Sequence, residues 1–100
     1  MVVVEIRSES EVPGGLRFAA AAERDGRAIS VEVRLSWADY NLWSPDGADA
    51  PERVARAALL FLLSRSEGDP PASFDAAMLR RRFPEADAEI ARLLRPASIG

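Results

Sequence analysis

The segment between positions 16 and 35 constrains the fold most, because two alternating apolar stretches flank a two-residue turn signal. The turn is Asp25-Gly26, a dipeptide that type I′ β-hairpins prefer because both central residues need positive φ. A two-residue loop here predicts the pairs Arg24 with Arg27, Ala22 with Ile29, Ala20 with Val31, Phe18 with Val33 and Leu16 with Leu35. A shift of one residue would destroy this apolar match, so the pattern predicts strands over 16–24 and 27–37.

A further strand is predicted over residues 2–11, before the hairpin. Its apolar residues alternate with charged ones, and Val12-Pro13-Gly14-Gly15 follows as a strong turn signal. The three strands would form an antiparallel β-meander. From position 38 to position 50 the chain is rich in Asp, Pro and Gly, and we expect a loop there.

Three helices are predicted in the second half of the chain, over residues 50–65, 73–82 and 84–94. Asp49 is expected to cap the first, with Pro51 in its first turn, and Ser73 to cap the second. Pro84 would start the third helix and Pro96 would end it. The first helix is apolar around most of its circumference, so the other two helices or a partner chain must cover it. The sequence therefore predicts a single α+β domain with its helices packed mainly on one face of the sheet.

The composition excludes several kinds of chemistry. All 13 basic residues are arginine, and the chain contains no Lys, Thr, Gln, Cys or His, which we interpret as the coding bias of a GC-rich bacterial genome. The absence of Cys excludes disulfides and thiolate chemistry, and the absence of His removes the commonest general base and metal ligand. The longest apolar run is too short to span a bilayer, and the first residues do not resemble a signal peptide. We therefore expect a cytoplasmic protein without membrane contact.

Both tryptophans and the only tyrosine lie within positions 37–43, directly after the predicted hairpin. Aromatic side chains beside polar groups are enriched in protein interfaces, because they bury much area at little entropic cost. Trp37 continues the inward alternation of the third strand and is expected in the core, whereas the pattern leaves open whether Tyr40 and Trp43 face core or solvent. The candidate interaction residues are Asp39, Tyr40, Asn41, Trp43 and Asp46.

The acidic residues of the same region do not form a recognisable metal site. Counted from Asp39 as a first ligand, positions five, six and twelve of an EF-hand would be Trp43, Ser44 and Ala50. No nucleophile motif is present, and no carboxylate pair is marked by its spacing. We therefore expect no metal, no cofactor and no enzymatic activity, and a hydrolase built on Asp39 and Tyr40 stays open as a lesser alternative.

A group of arginines in the last two predicted helices suggests nucleic-acid binding as the main alternative function. These residues are Arg80, Arg81, Arg82, Arg92 and Arg95. Three consecutive residues of a helix fan out over about 200°, so the first three cannot all face one phosphate backbone. Glu85, Asp87 and Glu89 follow them and would offset the positive potential, which favours an ion-paired, solvated surface.

The sequence thus predicts a small bacterial cytoplasmic domain that acts as a non-catalytic protein-interaction or self-association module. A protein partner, or a second copy, would contact the aromatic segment after the third strand and the apolar surface of the first helix. The alternative is a nucleic-acid-binding regulator that uses the arginine group. The charge is −4 over residues 1–50 and +1 over residues 51–100, a contrast too weak to indicate a nucleic-acid partner.

Overall fold

The computed structural model describes residues 2–66 and 68–95 and confirms the predicted α+β architecture, in which a β-meander is followed by helices. Its strands are β1 (Val2–Val12), β2 (Gly15–Arg24), β3 (Arg27–Ser36) and β4 (Ser73–Asp75). Its helices are α1 (Trp37–Trp43), α2 (Pro51–Arg65), α3 (Ala77–Arg82) and α4 (Ala86–Leu94). The strands form one sheet in the order β1-β2-β3-β4. None of the described helices is long and apolar enough to cross a lipid bilayer.

The β2–β3 hairpin has the predicted register at every pair, from Arg24 opposite Arg27 to Leu16 opposite Leu35. Its turn has φ angles of 54° at Asp25 and 79° at Gly26. Both angles lie in the left-handed region that a type I′ turn requires. The apolar residues of the two strands therefore share the face that becomes the core.

The first strand, β1, forms one edge of the sheet. A register irregularity between Ile6 and Ser8 leaves Arg7 without an opposite residue in β2. An extra residue of this kind bends and twists a strand, which discourages pairing with a further chain. Arg56 of α2 also donates from Nε to the carbonyl oxygen of Val4, 3.2 Å away. The edge is thus less available to another molecule than the face of the sheet opposite the helices.

The short strand β4 lies where the sequence predicts the start of a helix. It pairs in parallel with β3, with Phe74 opposite Val33. A strand of three residues is too short to show an alternating apolar pattern in the sequence. Strand β4 forms because the edge of β3 has backbone groups that would otherwise lack hydrogen-bond partners. Helix α3 begins only at Ala77, whose backbone N–H donates to Asp75 Oδ1 at 2.9 Å. The expectation that Ser73 caps this helix is therefore wrong.

Helix α1 occupies the first part of the predicted loop. The strand β3 ends at Ser36, whose Oγ accepts a hydrogen bond from the backbone N–H of Asp39 at 3.1 Å and so caps the helix. The expectation that Trp37 faces the core is wrong, because this residue begins the helix and its side chain is exposed. Side chains alternate between the two faces only within a strand. Because Trp37 belongs to a helix, the alternation of β3 does not predict the direction of its side chain.

Helix α2 lies on the inner face of the sheet and supplies much of the core. Its largest fully buried residues are Val54, Leu59, Phe61 and Leu62. The apolar excess expected on this helix is covered within the chain, because α4 packs against α2 and buries Ile90 and Leu94. Helix α4 begins at Ala86, slightly later than predicted. Pro96, which is expected to end it, lies outside the described residues.

Arg24 ties the tip of the hairpin to the C-terminal end of α2. Its guanidinium donates to the carbonyl oxygens of Leu63 and Ser66, each at 2.9 Å, and to that of Gly68. Carbonyl groups at the end of a helix lack intrahelical donors, so a cation there satisfies them and complements the helix dipole. The sheet and its main helix are therefore joined by hydrogen bonds as well as by apolar packing.

Candidate interaction site around helix α1

Helix α1 has one exposed and one buried face. The exposed face, which we name the α1 surface, consists of Trp37, Ala38, Asn41 and Leu42. These four residues lie within about 140° of the helix circumference. The two large apolar side chains among them are well exposed, Trp37 to 45% and Leu42 to 51%. The other three residues of the helix face the rest of the protein.

A polar network, which we name the Trp43 anchor, holds the buried face of α1. Trp43 is only 2% exposed, and its Nε1–H donates to Asp87 Oδ1 in α4 at 2.8 Å. Arg80 of α3 donates from Nε to the same oxygen at 3.1 Å, and its guanidinium carbon lies 5.4 Å from the Trp43 ring centroid. Nη2 of Arg80 also forms an ion pair with Oδ1 of the buried Asp39 at 2.9 Å. The Trp43 anchor therefore joins α1 to both C-terminal helices.

The Trp43 anchor has one guanidinium for two carboxylates. Partial burial opposes the charge on Arg80, but hydrogen bonds and charge interactions with Asp39 and Asp87 outweigh it and raise the pKa of Arg80. Arg80 is therefore always charged in the folded protein. The second carboxylate oxygen of Asp39, Oδ2, is buried and has no hydrogen-bond partner in the described part of the chain. Asp39 thus depends on the charge of Arg80, since a buried carboxylate without a cation is costly.

A second network, the Asp49 anchor, holds the segment that follows α1. Tyr40 donates its hydroxyl proton to the backbone carbonyl of Asp49. The buried Asp49 carboxylate accepts a hydrogen bond from Ser44 Oγ at 3.1 Å and pairs with Arg53 at 3.2 Å and with Arg95 at 3.4 Å. The expected capping role of Asp49 is wrong, because α2 has no side-chain hydrogen bond at its N-cap. Asp49 instead fastens the loop between α1 and α2.

The structure separates the five predicted interaction residues. Asp39 and Trp43 are buried in the Trp43 anchor, and Tyr40 is half-buried with its hydroxyl in the Asp49 anchor. Asn41 and Asp46 are exposed, but only Asn41 belongs to the α1 surface. Most of the predicted set therefore holds the site in place, and does not form its surface.

Sequence reasoning misses the two largest exposed side chains of α1. It places Trp37 in the core and gives Leu42 no role. The signal that would have found them is Ser36, three positions before Asp39, because this spacing of a hydroxyl and an acid is typical of a helix start. A helix that begins at position 37 brings Trp37 and Leu42 to one side, with Asn41 between them.

Comparison with protein-family models, with curated proteins and with solved structures finds no match for this chain. Its function is therefore inferred from its own geometry. The physical distinction of the α1 surface is that its apolar residues project from a helix that two networks hold on the opposite side.

The arginines of the alternative nucleic-acid site do not form a continuous basic surface. Three of the five are ion-paired with carboxylates, namely Arg80, Arg92 and Arg95. Arg81 and Arg82 are exposed at the end of α3, where the guanidinium of Arg82 lies 5.3 Å from the ring centroid of Phe83. Neighbouring residues of a helix point about 100° apart, so these two cannot align along one phosphate backbone. The geometry adds no support to nucleic-acid binding.

The polar groups of the region are engaged in structural contacts. Among residues 2–66 and 68–95, no group of three or more His, Cys, Asp or Glu side chains is placed to hold a metal ion. Asp39 and Tyr40, the pair considered for hydrolysis, are bound separately, by Arg80 and by the carbonyl of Asp49. Both groups therefore serve to fasten α1.

A shallow cleft of about 360 Å³ adjoins the start of α1. It lies between the Pro13-Gly14 turn and the ends of β3 and β4, with the charged side chains of Arg34 and Asp75 in its lining. The backbone N–H of Trp37 donates to the carbonyl oxygen of Gly14 at 3.0 Å, so the α1 surface begins directly beside this cleft. A molecule that covers Trp37 would also meet polar groups there.

Proposed function

We propose that this chain is a non-catalytic protein-interaction module whose protein partner docks on the α1 surface. The observation that carries the proposal is the exposure of Trp37 and Leu42 on a helix that is firmly held on its other side. Large apolar side chains exposed on one fixed face are typical of interaction sites. The composition, with arginine as its only basic residue and no cysteine, supports a bacterial cytoplasmic setting.

The two anchors preorganise the α1 surface. The Tyr40 ring stands perpendicular to that of Trp37, with centroids 6.2 Å apart, and its hydroxyl is fixed by the backbone of Asp49. A side chain that is already held loses less conformational entropy on binding, so more of the contact energy appears as affinity. Trp37 is therefore suited to be the central residue of an interface.

The partner has to present an apolar surface that also carries hydrogen-bonding groups. Trp37 and Leu42 supply apolar contacts, and Asn41 between them supplies an amide that both donates and accepts. Arg34 and Asp75, in the neighbouring cleft, would lie at the polar rim of the contact. An apolar centre with a polar rim is the usual arrangement of protein interfaces.

The proposal is tested with two leucines that are similarly exposed on different helices. Leu42 in α1 is 51% exposed and Leu93 in α4 is 45% exposed, so Leu42→Ser and Leu93→Ser remove comparable side chains. Tagged wild-type protein and the variants Leu42→Ser, Leu93→Ser and Trp37→Ser would be used to recover binding proteins from a lysate of the bacterial host. We expect wild type and Leu93→Ser to retain the same protein, and Leu42→Ser and Trp37→Ser to lose it.

Thermal unfolding of each variant shows whether the fold is kept, so that a lost partner reflects the surface and not the stability. The proposal fails if all variants retain the same protein, or if the wild type retains none. Equal losses in Leu42→Ser and Leu93→Ser would also contradict it, because α1 would then have no special role.

A further inference from the structure

The face of the sheet opposite the helices is uncovered and smooth. On the two central strands it presents the short side chains of Ala19, Ala21, Ala28 and Ser30. They line a shallow groove of about 650 Å³, with Arg7 and Glu32 also in its lining. The solvated face of an antiparallel sheet usually carries longer polar side chains. Another surface can therefore approach the middle of this outer face closely.

The charged residues of the outer face are distributed unevenly along the strands. The register arranges its residues on β1, β2 and β3 in four rows: Val3-Glu23-Ala28, Glu5-Ala21-Ser30, Ser8-Ala19-Glu32 and Ser10-Arg17-Arg34. The two rows nearest the β2–β3 turn contain the acids Glu5 and Glu23. The row at the far end contains Arg17 and Arg34. The alanines and Ser30 separate these two ends.

The arginine end has further charges. Arg7 lies at the irregularity of β1, close to the groove centre on the side of Arg17 and Arg34, and the acids Glu32 and Asp75 lie on this side as well. Three arginines then stand against two acids, so a positive excess remains. The outer face therefore has a negative half and a positive half, which meet at the groove centre, level with Ala20 and Val31.

The ion pairs within the outer face are weak. Arg17 and Arg34 lie 3.5 Å and 3.8 Å from Glu32, whose side chain is 36% exposed. Arg7 lies 3.9 Å from Glu5, and both of these side chains are well exposed. Glu23 has no ion-pair partner in the described part of the chain. Exposed pairs of this length contribute little and exchange partners readily. The charges of both halves are thus available to an incoming molecule.

From this arrangement we infer that the outer face of the sheet binds a second copy of the same chain, face to face. A twofold axis that crosses the strands at the groove centre lays the negative half of each copy over the positive half of the other. Glu23 then faces Arg17 of the second copy, and Glu5 faces Arg7 of the second copy. The alanine rows lie against each other between these pairs.

The charge distribution of the outer face favours this orientation of the dimer, and it favours a second copy over other partners. A twofold axis along β2 would place Glu23 over Glu23 and Arg17 over Arg17 of the second copy, and one between β2 and β3 would place Arg17 over Arg34 of the second copy. Like charges in contact oppose binding. A uniformly acidic or basic partner would match only one half of the face. A second copy matches both halves at once.

The available area is that of a weak dimer. Three strands about 4.8 Å apart, in contact over roughly 30 Å, give about 430 Å² per copy and about 860 Å² in total. Specific interfaces usually bury more than about 1,000 Å², so this dimer should be weak and should depend strongly on protein concentration. The α1 surface is not part of this interface, so the inference does not rest on the proposed function.

The test uses two opposite charge reversals, Glu23→Arg and Arg17→Glu. Each variant alone places like charges against each other twice in the dimer, so sedimentation equilibrium should show dimerisation weakened at least about tenfold. In a mixture of the two variants, positions 17 and 23 again face each other with opposite charges. We expect the mixture to form a heterodimer with nearly wild-type affinity.

Recovery on mixing also shows that both variants are folded, which a general loss of structure would not permit. Leu42→Ser is the matched control, and its dimer should be unchanged. A wild-type protein that is monomeric up to its solubility limit would overturn the inference, and so would charge variants that dimerise like the wild type. Loss of the dimer in Leu42→Ser alone would assign self-association to the α1 surface and overturn it as well.

Discussion

The β2–β3 hairpin and helix α1 are consecutive in the chain, yet different kinds of contact hold them. The hairpin closes on a two-residue turn, and its pairs extend outward from that turn. Helix α1 is held by Arg80 and by Asp87, which lies 44 positions after Trp43. A local pattern therefore suffices for one element, whereas its neighbour depends on the helices that come last in the chain.

The same difference decides which surfaces are left for binding. The alternation of the hairpin commits one face to the core and leaves the outer face of the sheet free. The anchors of α1 use Asp39, Tyr40 and Trp43, and they leave Trp37 and Leu42 exposed. The two proposed interfaces, the α1 surface and the outer face of the sheet, are the faces of these elements that are not buried in the core.

The largest expected effect comes from breaking the long-range support of α1. Trp43→Ala should lower the free energy of unfolding by about 3–5 kcal/mol, because it empties a fully packed site and removes the donor to Asp87. Urea unfolding measures this change. Trp37→Ala, six positions earlier on the same helix, should change the free energy of unfolding by less than about 0.5 kcal/mol. Equal losses in the two variants would contradict the assignment of buried and exposed faces.

A smaller loss of stability is expected from removing Arg80, the single cation that pairs with both Asp39 and Asp87. Arg80→Met should cost about 1–3 kcal/mol, less than a fully buried pair, because the Arg80 side chain is 36% exposed. It leaves the carboxylates of Asp39 and Asp87 without their cation. Adding Asp39→Asn should restore part of the loss, since the neutral amide no longer needs a counter-charge.

The comparison of these variants is a double-mutant cycle measured by urea unfolding. Arg80→Met and Asp39→Asn should be non-additive, with the double variant more stable than the sum of the single losses predicts. Strict additivity would show that Asp39 and Arg80 do not interact, and the Trp43 anchor would then lose its link to α3.

The smallest loss of stability is expected from a change in the turn of the β2–β3 hairpin. Gly26→Ala should cost about 1–2 kcal/mol, because φ is 79° at this position and a side chain disfavours left-handed backbone. Gly68→Ala is the control, since a Cβ at Gly68 meets no atom within 4 Å and its φ lies outside the left-handed range. Thermal unfolding should show a lower midpoint for Gly26→Ala alone. Equal midpoints in the two variants would mean that the turn does not need its glycine.

Much of the fold could be predicted because its signals are local. Asp25-Gly26 sets the hairpin register, and the apolar repeat from Val54 to Leu62 marks the core helix. The three residues of β4 carry no such repeat, and only the free edge of β3 makes them a strand. The start of α1 had a local signal at Ser36, but the strand alternation before it suggested that Trp37 continued inward.

The candidate site was less predictable, because burial of a short helix depends on what packs against it. The aromatic segment was singled out as a candidate by its composition. Which of its residues face outward followed from the contacts of Trp43 with α4 and of Asp39 with α3. Neither contact leaves a periodic pattern in the sequence near position 40.

The sequence by itself determined the meander, the register of the hairpin and the identity of the core helix, since turn chemistry and apolar alternation act between near neighbours. Tertiary structure alone decided the orientation of α1. Arg80 and Asp87 meet Asp39 and Trp43 only after α3 and α4 pack in place, because a polar contact between distant segments requires the fold that brings them together.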